Sequence, residues 1–181
     1  IEQDLYGDSN PSGKLPMTFT RNVGQVPIYY NYKNTGRPVM NEPESVFWSH
    51  YIDEKNTPLY PFGHGLSYSK FEYSNLQLSS NAFAKNGKIE VSVTIKNIGK
   101  VTGKEVVQLY IRDLIGSITR PVKELKAFEM IELQPNETKK VVFSIDEKTI
   151  EYFTANKKWE AEAGDFKVFI GGSSVTKLEG D

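Results

Sequence analysis

From about residue 71 onward, hydrophobic and polar residues alternate along the chain. The clearest case is the stretch from Ile89 to Ile95, which reads IEVSVTI and puts four β-branched side chains on one face of an extended chain. Turn-forming pairs such as Asn86-Gly87 and Pro135-Asn136 separate segments of this kind. The other predicted strands are Phe71–Leu78, Val106–Ile111, Leu125–Leu133, Val141–Ile145, Ile150–Phe153 and Phe166–Ile170. The pattern predicts a mainly β fold, a β-sandwich of the fibronectin type III or immunoglobulin-like kind.

The first 70 residues follow a different pattern and hold seven of the nine prolines. Proline removes a backbone donor and fixes φ, which excludes long helices and central strands. Two short apolar runs, Leu15–Phe19 and Val26–Tyr32, could form strands, and residues 1–8 are typical of the last turns of a helix. We therefore expect an irregular, proline- and aromatic-rich segment ahead of the sandwich.

Half of the 22 aromatic residues lie between Tyr29 and Tyr73. Rings at this density are expected to be buried against something, either a neighbouring domain or the apolar faces of sugar rings. The candidate carbohydrate-binding residues are Trp48, Tyr51 and Trp159. For Trp159, which follows two lysines at a predicted strand start, the favoured interpretation is a place in the sandwich core.

Composition excludes several classes of function. The chain has no cysteine, which excludes disulfides, thiolate metal sites and cysteine nucleophiles. Its 22 basic and 23 acidic residues leave a net charge of −1, so neither a nucleic acid nor an anionic membrane is an expected partner. No apolar stretch is long enough for a membrane-spanning helix. With two histidines, His50 and His64, no metal or cofactor is expected.

Three polar motifs have structural interpretations. Asp53 and Glu54 are adjacent, and adjacent side chains of an extended chain point to opposite sides, so they predict a solvated turn rather than an acid–base pair. His64 stands between two glycines and is predicted to be a hydrogen-bonded junction residue. The basic, proline-containing stretch Arg120–Lys126 predicts an edge strand that charge and proline protect against aggregation.

Four longer motifs carry a resemblance to a known family. Pro11–Phe19 reads PSGKLPMTF, Tyr60–Tyr68 reads YPFGHGLSY, Gly103–Tyr110 reads GKEVVQLY and Arg120–Lys126 reads RPVKELK. In this order, over nearly the whole chain, they resemble the C-terminal region of glycoside hydrolase family 3 β-glucosidases.

The resemblance implies a division of the chain into three parts. Residues 1–25 would be the C-terminal tail of the family's α/β sandwich domain, 26–70 a linker, and 71–181 a fibronectin type III-like domain. Thr20 and Ala127 stand where proline and glycine are common in the family. The family's final strand, after Gly171–Ser174, is expected to be missing or cut short.

The resemblance also implies a function. Family members are retaining exo-glycosidases, whose double displacement requires two carboxylates about 5 Å apart. The family's aspartate nucleophile and glutamate acid–base have no matching motif here, so no residue is expected to be catalytic. The parent enzyme would hydrolyse terminal, non-reducing β-D-glucosyl residues of a β-glucoside or oligosaccharide, in the periplasm or after secretion. This chain would be inactive and would dock on the upstream catalytic domains of the same polypeptide. A carbohydrate-binding module for β-glucans and an oligomerisation module are the alternatives.

Overall fold

A computed structural model describes residues 2–34 and 50–180 of the chain. Before residue 71 it contains one short helix, α1 (Glu2–Tyr6), and a 3₁₀ turn at Val23–Gln25. The remaining elements, in chain order, are β1 (Phe71–Leu78), β2 (Lys88–Asn97), β3 (Gly103–Asp113), β4 (Glu124–Leu133), β5 (Thr138–Asp146), α2 (Glu147–Ile150), β6 (Tyr152–Phe153), β7 (Trp159–Glu160), β8 (Phe166–Gly171) and β9 (Glu179–Gly180).

The strands form the predicted β-sandwich. One sheet has the order β1-β2-β5, the other β4-β3-β8-β9, and β6 pairs with β7 in a separate two-stranded sheet. Every strand pair is antiparallel. The core lies between the two larger sheets and is built of Ile89, Val91, Val93, Ile95, Val107, Leu109, Ile111, Ile131, Leu133, Val141, Phe143, Ile145, Val168 and Ile170.

The alternation of apolar and polar residues along β2 and β5 explains how the first sheet packs on the core. Val91 pairs with Phe143 and Val93 with Val141, and all four side chains are buried in the core. The predicted turns have the backbone that their residues favour: Asn86 and Asn136 both have φ near +65° (64° and 66°), a left-handed conformation that asparagine tolerates.

β3 departs from simple alternation because both of its faces are covered. Val107, Leu109 and Ile111 point into the core, while Gln108 and Tyr110, on the other face, are equally buried. That second face is covered by the N-terminal segment, a name used here for residues 2–34 and 50–70.

The prediction that Leu15–Phe19 and Val26–Tyr32 could form strands in the N-terminal segment is wrong. Among its described residues there is no strand, and the β-bridges that they form, Phe19 with Tyr60 and Lys33 with Pro121, are isolated. Pro16 and Pro27 interrupt the two apolar runs and cannot donate to a ladder. The short helix expected at the start of the chain is confirmed as α1.

Two details differ after β5. The predicted strand Ile150–Phe153 begins too early, because Ile150 ends α2 and the strand starts at Tyr152. Helix α2 begins with a capping box: the Asp146 carboxylate accepts a hydrogen bond from the Thr149 amide, and the Thr149 hydroxyl accepts one from the Asp146 amide. After Gly171–Ser174, where the final strand was expected to be missing or cut short, the structure has the two-residue β9 paired with β8.

Candidate functional site

The candidate site is the seam, defined as the contact between the N-terminal segment and the sandwich. At its centre three rings meet. Tyr30 stacks on Phe62 with ring centroids 4.3 Å apart and meets Tyr110 of β3 edge-on at 5.9 Å. The Leu125 amide donates to the Tyr30 hydroxyl at 3.2 Å. Tyr110 has no exposed surface, and its burial raises the pKa of its hydroxyl well above the ordinary value.

Beside these rings the backbone of the N-terminal segment touches β3 directly. Gly63 has φ of +79°, and a Cβ added there would lie 2.4 Å from Oε1 of Gln108. The Gln108 amide in turn donates to the Gly172 carbonyl at 2.7 Å, and the Tyr110 hydroxyl donates to its Oε1. Glycine is therefore required at position 63 for its backbone conformation and for the close approach.

A buried ion pair lies further along the seam. Lys14 Nζ is 3.0 Å from Oε2 of Glu105, and the Tyr73 hydroxyl donates to Oε1 of the same carboxylate at 2.7 Å. The Glu105 side chain is only 7% exposed, so its charge is balanced mainly by Lys14. Burial, reinforced by this carboxylate, raises the pKa of Tyr73 far above its ordinary value and keeps the hydroxyl a donor.

Asn10 joins three stretches of chain through its side-chain amide. Its Oδ1 accepts from the Ser67 hydroxyl at 2.9 Å and from the Tyr68 amide at 2.8 Å. Its Nδ2 donates to the Thr102 carbonyl at 2.8 Å and to the Ser69 hydroxyl at 3.3 Å. Both donors and both acceptor positions are used, which anchors the N-terminal segment at the start of β3.

Hydrogen bonds and ring stacking also connect parts of the N-terminal segment to one another. The Gln25 side chain is almost completely buried: the Arg21 amide donates to its Oε1 at 2.7 Å and its Nε2 donates to the Lys55 carbonyl at 2.6 Å. His64 stacks on Tyr60 at 5.0 Å, and its carbonyl accepts from the Leu15 amide, so it is hydrogen-bonded as predicted, within the N-terminal segment. These contacts give irregular chain a fixed shape.

Exposed large hydrophobic side chains are concentrated in the N-terminal segment. Of the 24 large hydrophobic residues that are exposed among residues 2–34 and 50–180, more than half belong to it, although it is about a third of that length. They are Leu5, Tyr6, Met17, Phe19, Val23, Val26, Tyr29, Tyr32, Tyr51, Ile52, Leu59, Tyr60, Leu66 and Tyr68. We call this set the outer apolar face. Such a concentration is typical of a surface that contacts another protein surface.

The structure describes two of the three predicted sugar-contact residues, one in the N-terminal segment and one in the sandwich. Trp48 lies outside the described residues. Tyr51 is partly exposed in the N-terminal segment, where its amide donates to Oδ1 of Asn56 at 3.1 Å. Trp159 lies on β7 of the sandwich and is 67% exposed, so the favoured interpretation of it as a core residue is wrong. Its ring meets Phe153 edge-on at 6.0 Å.

The basic stretch before β4 is placed differently from the prediction. β4 is an edge strand, as expected. However, the Arg120 side chain is only 10% exposed, pairs with Asp113 and Glu124, and lies 3.8 Å above the Tyr152 ring. Arg120 therefore fills an internal site rather than protecting the edge.

Lys123 is the other basic residue turned inward. Its Nζ donates to the carbonyls of Ser174 and Thr176 and lies 4.1 Å from the Phe169 ring centroid. Burial lowers its pKa to about 8. Sequence reasoning missed both internal roles, because a run of charged residues gives no sign of which side chains turn inward.

Residues 2–34 and 50–180 contain no cluster of three or more histidine or acidic side chains suited to a metal ion. None of the helices there has the length and apolar content needed to cross a bilayer.

Two family models match the chain. The glycosyl hydrolase family 3 C-terminal domain matches residues 1–68, and a fibronectin type III-like domain matches residues 105–174. The first match therefore covers most of the N-terminal segment and the second most of the sandwich.

Similar individual proteins support these two family matches. A periplasmic β-glucosidase of Salmonella typhimurium is 48% identical over 99% of this chain, and thermostable β-glucosidase B of Acetivibrio thermocellus is 44% identical over 94%. A crystal structure of β-glucosidase from Listeria innocua in complex with glucose superposes with a TM-score of 0.89 at 45% identity over 96% of this chain. The chain spans about a quarter of each protein: 24%, 23% and 24%. The chain thus belongs to glycoside hydrolase family 3, as the end of its α/β sandwich domain followed by its fibronectin type III-like domain.

Proposed function

We propose that this chain is the non-catalytic C-terminal region of a β-glucosidase that hydrolyses terminal, non-reducing β-D-glucosyl residues with retention. The relatives named above are β-glucosidases, and this chain spans about a quarter of their length. The aspartate nucleophile and the glutamate acid–base would come from the catalytic domains of the parent, which would bind the β-glucoside. By analogy with the Salmonella relative, the parent acts in the periplasm or after secretion.

The role of the chain itself is to dock the sandwich onto those catalytic domains. The observation that carries this proposal is that the N-terminal segment is fixed to the sandwich and also holds most of the exposed large hydrophobic residues. It is fixed to β3 by the Tyr30 ring cluster and by the Lys14–Glu105 pair. The outer apolar face holds residues as exposed as Ile52, at 100%. Burying such a face against another domain is favourable by roughly 25 cal/mol per Å² of apolar surface.

Two measurements test the proposal. The isolated chain should not hydrolyse 4-nitrophenyl β-D-glucoside, whereas the full-length parent should; turnover by the purified chain would contradict the non-catalytic part. Amide hydrogen exchange over residues 17–26 and 51–60 should be much slower in the parent than in the isolated chain, because docking protects these amides. Equal exchange in both would contradict the docking part while leaving the activity result untouched.

A further inference from the structure

Trp159 lies at the margin of an open groove on the side of the sandwich. The groove has a volume of about 590 Å³ and is lined by residues of the sandwich between positions 125 and 159, starting at Leu125, whose amide contacts Tyr30 in the seam. Besides Trp159, its lining includes Lys126, Asp146, Lys148 and Glu151. The groove is therefore structurally separate from the outer apolar face.

The indole ring is exposed but held in place. Trp159 is paired with Phe153 in the β6–β7 ladder, and the Phe153 ring meets the indole edge-on at an interplanar angle of 65°. Thr149, another lining residue, is held in place as well, since the capping box between Asp146 and Thr149 fixes the first turn of α2. A fixed aromatic plane at the surface loses little conformational freedom when a ligand packs on it.

The polar groups around the ring select the class of ligand. Lys126 and Lys148 provide donors, Asp146 and Glu151 provide acceptors, and the four formal charges cancel. A balanced set of this kind does not favour an anion or a cation. It suits a neutral polyol, whose hydroxyls donate and accept at once.

We propose that this groove binds one end of a gluco-configured oligosaccharide, with a pyranose ring stacked on Trp159. The equatorial hydroxyls of such a sugar leave flat, apolar C–H faces above and below the ring, and these pack on the indole. The hydroxyls at the rim of the sugar form hydrogen bonds with the lysines and carboxylates of the groove. This binding is independent of the docking proposed above, because the groove contains none of the residues of the outer apolar face.

The test is a titration of the ¹⁵N-labelled chain with cellotetraose. The chain has two tryptophans, so the indole N–H signal of Trp159 can be assigned by its loss in Trp159→Ala. We expect saturable shifts of that signal and of the amides near residues 146–151, at millimolar ligand. Trp159→Ala should weaken binding by about tenfold or more, the effect of losing one large buried aromatic contact. Phe128→Ala, at a second exposed aromatic residue (69% exposed), is the matched control and should bind as the unmodified chain does.

Three results would overturn the proposal: no saturable shift of the Trp159 indole, equal affinity in Trp159→Ala, or shifts confined to Tyr51 and Trp48. A dispersed amide spectrum of Trp159→Ala would establish that its loss of binding is not a loss of fold. Each of these outcomes leaves the docking and activity measurements unaffected.

Discussion

The Lys14 ammonium lies 3.0 Å from the Glu105 carboxylate, although 91 residues separate the two in sequence. Lys14 belongs to the PSGKLP motif and Glu105 to GKEVVQLY, so the pair joins the two family motifs on either side of the seam. This contact, with the ring cluster around Tyr30, makes the N-terminal segment part of the same folded unit as the sandwich.

Lys14→Met should therefore destabilise the chain strongly. The substitution leaves the buried Glu105 carboxylate without its cation, which costs about 3 kcal/mol of unfolding free energy. The double variant Lys14→Met/Glu105→Gln should recover part of this loss. Lys104→Met is the control: its pair with Glu132 spans 3.6 Å with both side chains about half exposed, 52% and 54%, and should contribute less than about 1 kcal/mol. Equal losses at positions 14 and 104 in urea unfolding would contradict the account.

Gly63→Ala should lower the unfolding free energy by disturbing the contact between the N-terminal segment and β3. The new Cβ would meet Gln108, and the positive φ alone costs about 1 kcal/mol or more, so we expect a total loss of at least about 2 kcal/mol. Gly7→Ala separates the two effects, because Gly7 has φ of +84° and nothing within 4 Å of the added Cβ. If Gly63→Ala costs no more than Gly7→Ala, the close approach to Gln108 has no energetic importance.

The sandwich was predictable where only one face of a strand is buried. β2 has the IEVSVTI pattern, and its partner β5 and the asparagine turns followed from local sequence rules. β3 shows the limit of this reasoning, since its burial depends on Phe62 and Gly63, more than 40 positions earlier in the chain.

The seam and the exposed groove were harder to predict for the same reason. Trp159 was expected in the core because tryptophan is large and apolar, and composition cannot show that β7 lies outside the two main sheets. Arg120 and Lys123 were expected in solvent because they are charged. Their inward positions depend on Tyr152 and Phe169, which only the folded chain brings beneath them.

Lys123 gives the stability a specific pH dependence. Its pKa is about 8 in the folded chain and near its ordinary 10.5 when unfolded, so the unfolded state binds more protons between these values. The stabilising contribution of Lys123 should therefore rise as pH increases from about 8 to 10. The difference in unfolding free energy between the unmodified chain and Lys123→Met, measured across this range, should grow with pH. A flat or falling difference would contradict the burial of Lys123.

Arg120→Met should also become more costly as the pH rises, but over a lower pH range. Asp113 is buried, and burial raises the pKa of its carboxyl even with Arg120 beside it. Without Arg120 the Asp113 charge is unpaired, which costs about 3 kcal/mol at neutral pH. At pH 4 a larger fraction of Asp113 is protonated, so the cost should be smaller. Chemical unfolding at both pH values checks this, and an identical cost at each would contradict it.

The docking of the outer apolar face is tested most directly by Ile52→Asp in two settings. In the isolated chain Ile52 is fully exposed, so the substitution should leave the melting temperature unchanged. In the full-length parent the same substitution would bury a charge in the domain contact and should lower the melting temperature by several degrees. Ile115→Asp, at an exposed site of the sandwich outside that face, is the control and should be neutral in both. A parent enzyme whose melting temperature is unaffected by Ile52→Asp would contradict the central claim.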